Sequence, residues 1–165
     1  VASLFPLAVS PDPTLLRALR KVSERLPLVF ALHPRTRNNI ERFGLQAELD
    51  EGNFLILPPQ GYLEMLGLMA NARMVLTDSG GIQEETTALG VPCLTIRENT
   101  ERPITIDQGT NTLVGTSPEA IISAAANVLD AGGKAGRVPE YWDGRAAERM
   151  AAHLHGWLTT RAATA

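Results

Sequence analysis

The stretch VLTDSGGIQEETTALG, residues 75–90, decides the fold because a strand, a glycine turn and a helix follow one another in it directly. The apolar run ends in a small polar cluster at residues 77–79, and Gly90 is placed to end the helix. A helix that starts in this way aims unpaired backbone N–H groups at an anion. Gly80 and Gly81 permit a close approach because neither carries a Cβ.

Three polar side chains in this stretch are candidates for ligand contacts. Ser79 can cap the helix or donate its hydroxyl to a phosphate. We expect Glu84 and Glu85 in the first helical turn, where one carboxylate can accept from sugar or ribose hydroxyls. The motif is neither GxGxxG nor a P-loop, so an ordinary turn with a capping serine explains it as well as a ligand site does.

The composition is that of one soluble globular domain: 165 residues, 44% hydrophobic and 20% charged. A net charge of −3 argues against nucleic acid as a partner. The sequence contains neither an apolar run near the roughly 18 residues of a membrane span nor a signal-peptide pattern. A single cysteine, Cys93, excludes an internal disulfide and predicts a cytoplasmic protein. Its apolar neighbours predict a buried core residue rather than a nucleophile.

Strands and helices alternate along the chain. Strands are expected at residues 3–9, 28–32, 54–57, 74–77, 92–96 and 112–114, and Pro6 would confine the first to an edge or end of the sheet. Six helices are expected. The first begins after Asp12, the second ends at Phe43 and the third spans 62–70. The fourth ends at Leu89, the fifth begins after Ser117 and the sixth spans about 144–158. This alternation predicts an α/β fold with a doubly wound parallel sheet, in a single domain spanning residues 1–165.

The polar loops of this sheet are expected at one edge. Four of them follow predicted strands, at residues 33–37, 58–61, 79–81 and 97–102. Open α/β sheets bind ligands at the carboxyl ends of their strands. His153 and His155 lie on the last helix at a spacing that separates their faces, so no histidine metal site is predicted.

Two cationic groups within these loops have open alternatives. His33, Arg35 and Arg37 form either a cationic lip over a phosphate or sugar, or a helix start with solvated arginines; the latter suits Arg37 better than His33. Arg102 either pairs with Glu101 on the surface or clamps a diphosphate through two parallel hydrogen bonds. The residues alone therefore predict an anion site, for a nucleotide or a sugar phosphate.

The chain resembles the non-hydrolysing UDP-N-acetylglucosamine 2-epimerases in three segments that follow one another in order: TDSGGIQEE (77–85), RENTERP (97–103) and GTNTLVG (109–115). The segments HPRTR (33–37), PPQGYLEMLGLM (58–69) and WDGRAAER (142–149) add to the resemblance, which covers roughly residues 12–158. That family has two Rossmann-like domains of glycosyltransferase-B type, with the substrate in the cleft between them. The chain resembles the second, so the resemblance implies a missing N-terminal domain as a partner.

The resemblance also implies roles for residues of the glycine turn. Ser79, Gly80 and Gly81 would hold the UDP diphosphate, Glu85 would take the ribose hydroxyls, and Arg102 would reach the phosphate or sugar. The loop 58–62 and Met65 would flank the uracil, with weaker stacking because relatives often carry an aromatic residue at this position. His33 would lie at the cleft.

The implied reaction interconverts UDP-GlcNAc and UDP-ManNAc by elimination and re-addition of UDP, without a redox cofactor or a metal, in a homodimer. The family's acid/base residues belong to the first domain, so we expect the isolated chain to be inactive. Residues 3–13 also lack the family's His-Arg motif, and Ile104 stands where many relatives carry an acid.

Several alternatives remain open at this level. The alternatives to an epimerase domain are a domain of a UDP-sugar glycosyltransferase, a domain of a hydrolysing epimerase, and a non-catalytic UDP-sugar-binding module. The apolar face of the last helix covers its own sheet or packs against the absent first domain.

Overall fold

The computed structural model describes residues 2–4 and 12–162, in which one six-stranded sheet is flanked by helices. The strands are β1 (Ala2–Leu4), β2 (Leu28–Ala31), β3 (Phe54–Leu57), β4 (Met74–Thr77), β5 (Cys93–Thr95) and β6 (Asn111–Leu113). The helices are α1 (Pro13–Ser23), α2 (Pro34–Arg42), α3 (Gln46–Asp50), α4 (Tyr62–Ala70), α5 (Gly80–Leu89), α6 (Pro103–Asp107), α7 (Pro118–Ala131) and α8 (Ala146–Ala162). The strands pair in parallel in the order β3-β2-β1-β4-β5-β6, which confirms the predicted fold class.

Local signals set the ends of the helices as predicted. The Asp12 carboxylate accepts a hydrogen bond from Thr14 N at 2.8 Å and starts α1, and Ser117 Oγ accepts from Ala120 N at 3.4 Å at the start of α7. Gly90 closes α5 with a φ of +70°, in the left-handed region that favours glycine.

The structure differs from the sequence-based expectations in several elements. Helices α3 and α6 were not expected, because five residues are too few to show a helical period. The last helix begins at Ala146 rather than near residue 144 and extends to Ala162. Of the strand expected at 3–9, the structure describes β1, and residues 5–9 lie outside the described part.

Strand β1 is central in the sheet. It pairs with β2 on one side and with β4 on the other, in register from Ala2 beside Leu28 and Met74. The expectation of an edge position was wrong for the described part of this strand, because Ala2–Leu4 pairs on both sides; Pro6 lies outside the described residues. Strands β2 and β3 lie on one side of β1, whereas β4, β5 and β6 follow on its other side. The position between β1 and β4 is therefore the topological switch point of this sheet.

Alternate strand residues face two separate cores. The main core includes Leu28 and Phe30 of β2, Met74 and Leu76 of β4, and residues of α1, α2, α3 and α7. The second core joins Met69 of α4, Val75 of β4 and Val91, with Met65 and Ile82 packed against them. Helices therefore cover both faces of the sheet, as a doubly wound fold requires.

Helix α8 stands apart from both cores. Its described side chains from Met150 to Thr160 are all exposed, and Met150, Leu154, Trp157 and Leu158 are each more than half exposed. The structure thus answers the question left open by the sequence: the apolar face of this helix does not cover its own sheet. Within the described residues, the helices are too short or too polar to cross a membrane.

Candidate functional site

The carboxyl ends of the parallel strands bring the predicted polar loops to one edge of the sheet. The loop at 58–61 follows β3, His33 comes just after β2, Asp78 and Ser79 follow β4, and residues 97–102 follow β5. The prediction that these loops share an edge is confirmed. The Ser79 turn lies directly at the switch point, where sheets of this type form a ligand crevice.

The start of α5 is open toward this edge. Ser79 occupies the N-cap position with extended backbone (φ −85°, ψ 132°), and its side chain makes no capping hydrogen bond to the helix. A Cβ added at Gly81 would meet nothing within 4 Å, and one added at Gly80 would find only Glu101 Oε2, at 3.9 Å. On the side where a Cβ would stand, a ligand at the helix start therefore meets no steric obstacle.

The two glutamates of α5 lie one turn further along than expected. The helix begins at Gly80, so Glu84 and Glu85 occupy the second turn, and the first turn contains no acidic residue. The expectation was wrong because Gly80 and Gly81 are themselves helical rather than part of the preceding turn. The dipole of the helix start thus faces the crevice without a competing carboxylate in the first turn.

Glu85 has an environment of its own. It lines a shallow pocket of about 360 Å³ with Glu84, Ala88 and Trp142. Burial raises the pKa of Glu85 above its ordinary value, and the Glu84 carboxylate raises it further. No role was predicted for Trp142 from the sequence, because this residue lies before α8, far along the chain from α5, and comes close to Glu85 only in the folded domain.

The Arg102 side chain pairs with the Glu84 carboxylate, and its Nη1 donates to the backbone O of Glu101 at 3.3 Å rather than to the Glu101 carboxylate. Its Nε lies 3.0 Å from Glu84 Oε1, yet this buried N–H is not aligned on the oxygen and makes no hydrogen bond. Glu101 instead pairs with Arg97 at 2.9 Å, and hydrogen bonds from Arg97 hold the pKa of Glu101 below its ordinary value. The predicted alternative of a Glu101–Arg102 pair is therefore wrong, and the guanidinium keeps donor capacity for an anion.

The His33 group lies on the same edge, two strands away from Ser79. His33 is exposed and caps α2, its Nδ1 accepting from Arg35 N at 3.2 Å. Arg35 and Arg37 are exposed as well. His33 thus caps α2, as the alternative of a helix start with solvated arginines requires. A role for His33, Arg35 and Arg37 in ligand binding stays a prediction.

Two other residues singled out in the sequence contact the cores of the domain. Cys93 is fully buried on β5, and burial raises the pKa of its thiol to about 11, so the prediction of a core residue is confirmed. Met65 is half-buried against the second core. Its predicted position beside a base stays a prediction.

The sheet order and the helix start at its switch point define a Rossmann-type α/β domain. The sequence profile of the UDP-N-acetylglucosamine 2-epimerase family matches residues 10–155. The chain belongs to the UDP-N-acetylglucosamine 2-epimerase family.

Individual relatives agree with this assignment. The chain is 48% identical over 103 residues to the UDP-N-acetylglucosamine 2-epimerase of Methanococcus maripaludis, covering 62% of this chain and 28% of that protein. It is 38% identical over 163 residues to the UDP-2,3-diacetamido-2,3-dideoxy-D-glucuronate 2-epimerase of Pseudomonas aeruginosa, covering 93% and 43% of the two chains.

A solved structure extends the likeness to three dimensions. The Methanocaldococcus jannaschii UDP-GlcNAc 2-epimerase, in complex with UDP-GlcNAc and UDP, superposes with a TM-score of 0.79 at 34% identity. The match covers 93% of this chain and 44% of that one. The chain therefore spans less than half the length of these relatives.

Proposed function

We propose that this domain binds the UDP portion of a UDP-linked 2-acetamido sugar, as the second half of an epimerase active site. The observation that carries the proposal is the open start of α5 beside Arg102, whose buried Nε makes no hydrogen bond. Backbone N–H groups and a guanidinium are the donors that a diphosphate requires. Ser79, Gly80 and Gly81 would hold the diphosphate, and Arg102 would turn from Glu84 to a phosphate oxygen.

The remaining parts of the nucleotide are assigned to neighbouring residues. Glu85, beside Trp142 in the shallow pocket, would accept hydrogen bonds from the ribose hydroxyls. The loop at 58–62 and Met65 would flank the uracil. His33 and Arg35, exposed on the same edge, would face the sugar from the far side of the crevice.

The proposed reaction inverts the configuration at C2 of the sugar. A base removes the C2 proton while the C1–O bond breaks and UDP departs, which leaves a 2-acetamidoglucal. UDP then adds back at C1 as a proton returns to the opposite face of C2. This domain would stabilise the departing diphosphate, and the acid/base groups would come from another domain.

The sugar itself has two candidates. UDP-N-acetylglucosamine is favoured by the family assignment and by two relatives that are 48% and 46% identical to this chain. UDP-2,3-diacetamido-2,3-dideoxy-D-glucuronate is favoured by the relative that matches 93% of this chain. Both contain UDP, so the proposed role of this domain is the same for either.

Calorimetric titration of the chain with UDP tests the proposal. We expect binding at micromolar to millimolar strength in the wild-type chain, weakened at least about tenfold in Ser79→Ala and in Arg102→Ala. Arg25→Ala is the matched control. Arg25 lies between α1 and β2, away from the carboxyl edge of the sheet, and pairs with Asp130 of α7. Absence of UDP binding by the folded wild-type chain, or equal weakening in all three variants, would contradict the proposal.

Incubation of the isolated chain with UDP-GlcNAc tests the assignment of the acid/base residues. We expect no UDP-ManNAc by NMR, because the groups that move the C2 proton would lie on another domain. Epimerisation by the 165 residues alone would show that the acid/base groups lie on this chain. Release of free UDP would instead favour a hydrolysing enzyme.

A further inference from the structure

A closed set of hydrogen bonds surrounds the backbone of Arg102, and we call it the Arg102 ring. Arg102 N donates to Thr100 Oγ1 at 3.0 Å, and Thr100 Oγ1 donates to Gln83 Oε1 at 2.6 Å. Asn111 Nδ2 donates to Gln83 Oε1 and to Thr105 Oγ1, both at 3.1 Å. Thr105 Oγ1 then donates to Arg102 O at 2.7 Å, which closes the ring.

The protons of the Arg102 ring fit only one arrangement of the two amides. Gln83 Oε1 accepts from Asn111 Nδ2 and Gln83 Nε2 donates to Ser79 O, so a flipped Gln83 amide would set NH₂ against NH₂ and oxygen against oxygen. Asn111 Oδ1 likewise accepts from Thr95 Oγ1 at 2.7 Å. Gln83, Thr105 and Asn111 are fully buried, where an unsatisfied amide is costly. The ring therefore holds one geometry.

The Arg102 ring also reaches the other side of the proposed diphosphate site. Gln83 Nε2 donates to Ser79 O at 3.2 Å, at the start of α5. One side chain, Gln83, thus connects the glycine turn after β4 with the loop after β5. Gln83 is a buried link between the two, whereas the Arg102 side chain is half exposed and pairs with Glu84 at the surface.

We propose that Gln83 and Asn111 are positioning residues that fix Arg102 at the distance from Ser79 that a diphosphate requires. The inference rests on the proposed function for its ligand, and on the ring alone for its geometry. Neither side chain is proposed to touch UDP. They act through the backbone of Arg102, whose N–H and C=O are both held by threonine hydroxyls of the ring.

Thr100 offers a substitution that opens the ring with little risk to folding, because its side chain is only half-buried. Thr100→Val removes the hydroxyl and keeps the shape, whereas Thr100→Ser keeps the hydroxyl and is the matched control. Loss of this link leaves Arg102 N and Gln83 Oε1 each without one partner, so we expect roughly tenfold weaker UDP binding in Thr100→Val. Thr100→Ser should stay within about twofold of wild type, since it conserves both hydrogen bonds.

A double-mutant cycle with Arg102→Ala separates positioning from general destabilisation. If the ring acts through Arg102, Thr100→Val weakens UDP binding no further once the guanidinium is gone. An equal weakening in both backgrounds, or none in the Thr100→Val single variant, would overturn the inference. Thermal unfolding of each variant confirms that the titrated protein is folded.

The Nε–H signal of Arg102 in an ¹H–¹⁵N spectrum tests the inference without any ligand. A fixed, buried Nε–H should give a dispersed signal in wild type and Thr100→Ser, and an averaged signal in Thr100→Val. The same signal in all three proteins would overturn the inference. Failure of the wild-type chain to bind UDP would contradict the proposed function, while this spectrum would still decide on the ring.

Discussion

Two buried threonine hydroxyls of this domain have opposite surroundings. Thr95 Oγ1 donates to Asn111 Oδ1 at 2.7 Å, whereas Thr87 Oγ1 is buried without a hydrogen-bond partner. A buried polar group without a partner opposes folding, and its removal should cost nothing.

We therefore expect Thr87→Val to leave the free energy of unfolding unchanged or to raise it. Thr95→Val should lower that free energy by about 1–3 kcal/mol, because it leaves the buried Asn111 oxygen unpaired. Denaturant unfolding of the two variants measures the difference. A marked loss in Thr87→Val would mean that its hydroxyl has a partner in solution.

Glu84 competes with the proposed ligand for Arg102. Its carboxylate lies 3.0 Å from Arg102 Nε and adds negative charge where a diphosphate would bind. We expect Glu84→Gln to tighten UDP binding in a calorimetric titration and to lower the pKa of Glu85, since Glu84 is one cause of its upward shift. Glu41→Gln on α2 changes the net charge equally and should do neither. Weaker binding in Glu84→Gln would show that Glu84 helps to hold the ligand.

At the scale of elements, the start of α8 depends on one carboxylate. Asp143 accepts from Arg145 N at 3.0 Å and from both terminal nitrogens of Arg149 at 2.9 Å. These hydrogen bonds lower the pKa of Asp143 from 3.8 to about 2, and the bonds from Arg149 have the largest effect. Because the pKa is lowered on folding, the stabilisation is present above pH 3.8 and is lost as the pH falls toward 2.

We expect an NMR titration of the Asp143 carboxyl to give a midpoint near pH 2. The helical signal of α8 should decline over the same range, because protonation removes the contacts that hold its first turn. Arg149→Gln should return the midpoint toward 3.8, since Arg149 is the largest cause of the shift. A midpoint near 3.8 in the wild-type chain would contradict these contacts.

The sequence predicts elements well where periodicity and caps agree. Strand β4 and helix α4 have the predicted bounds, and α1 and α7 begin where Asp12 and Ser117 cap them. Five-residue helices such as α6 show no period and were missed. The Arg102 ring could not be predicted either, because Gln83 of α5, Thr100 of the loop after β5 and Asn111 of β6 meet only after these elements have packed.

At the scale of the whole molecule, α8 presents an apolar stripe that this domain does not cover. We propose that a first domain would cover it, as the length of the relatives suggests. Amphipathic periodicity predicts that a helix has an apolar face and does not say what that face contacts. The sequence therefore could not distinguish between the sheet of this chain and another domain.

We expect the double variant Leu154→Glu and Leu158→Glu to unfold within about 0.5 kcal/mol of wild type, because both side chains are more than half exposed. Ile121→Ala, in the main core on α7, is the contrast and should lose about 2–5 kcal/mol. Denaturant unfolding of the isolated chain compares them. A loss of similar size in the double variant would mean that α8 packs on the domain in solution.

The central position of β1 also sets the size of molecule that this edge can hold. Only β1 separates β2 from β4, and adjacent strands lie about 4.8 Å apart, so the carboxyl ends of β2 and β4 are about 10 Å apart. The strand thus acts as a fixed spacer between the loop of His33 and the turn of Ser79. An inorganic phosphate can occupy one side of this gap but cannot bridge it, whereas an elongated molecule with its charge near one end can touch both.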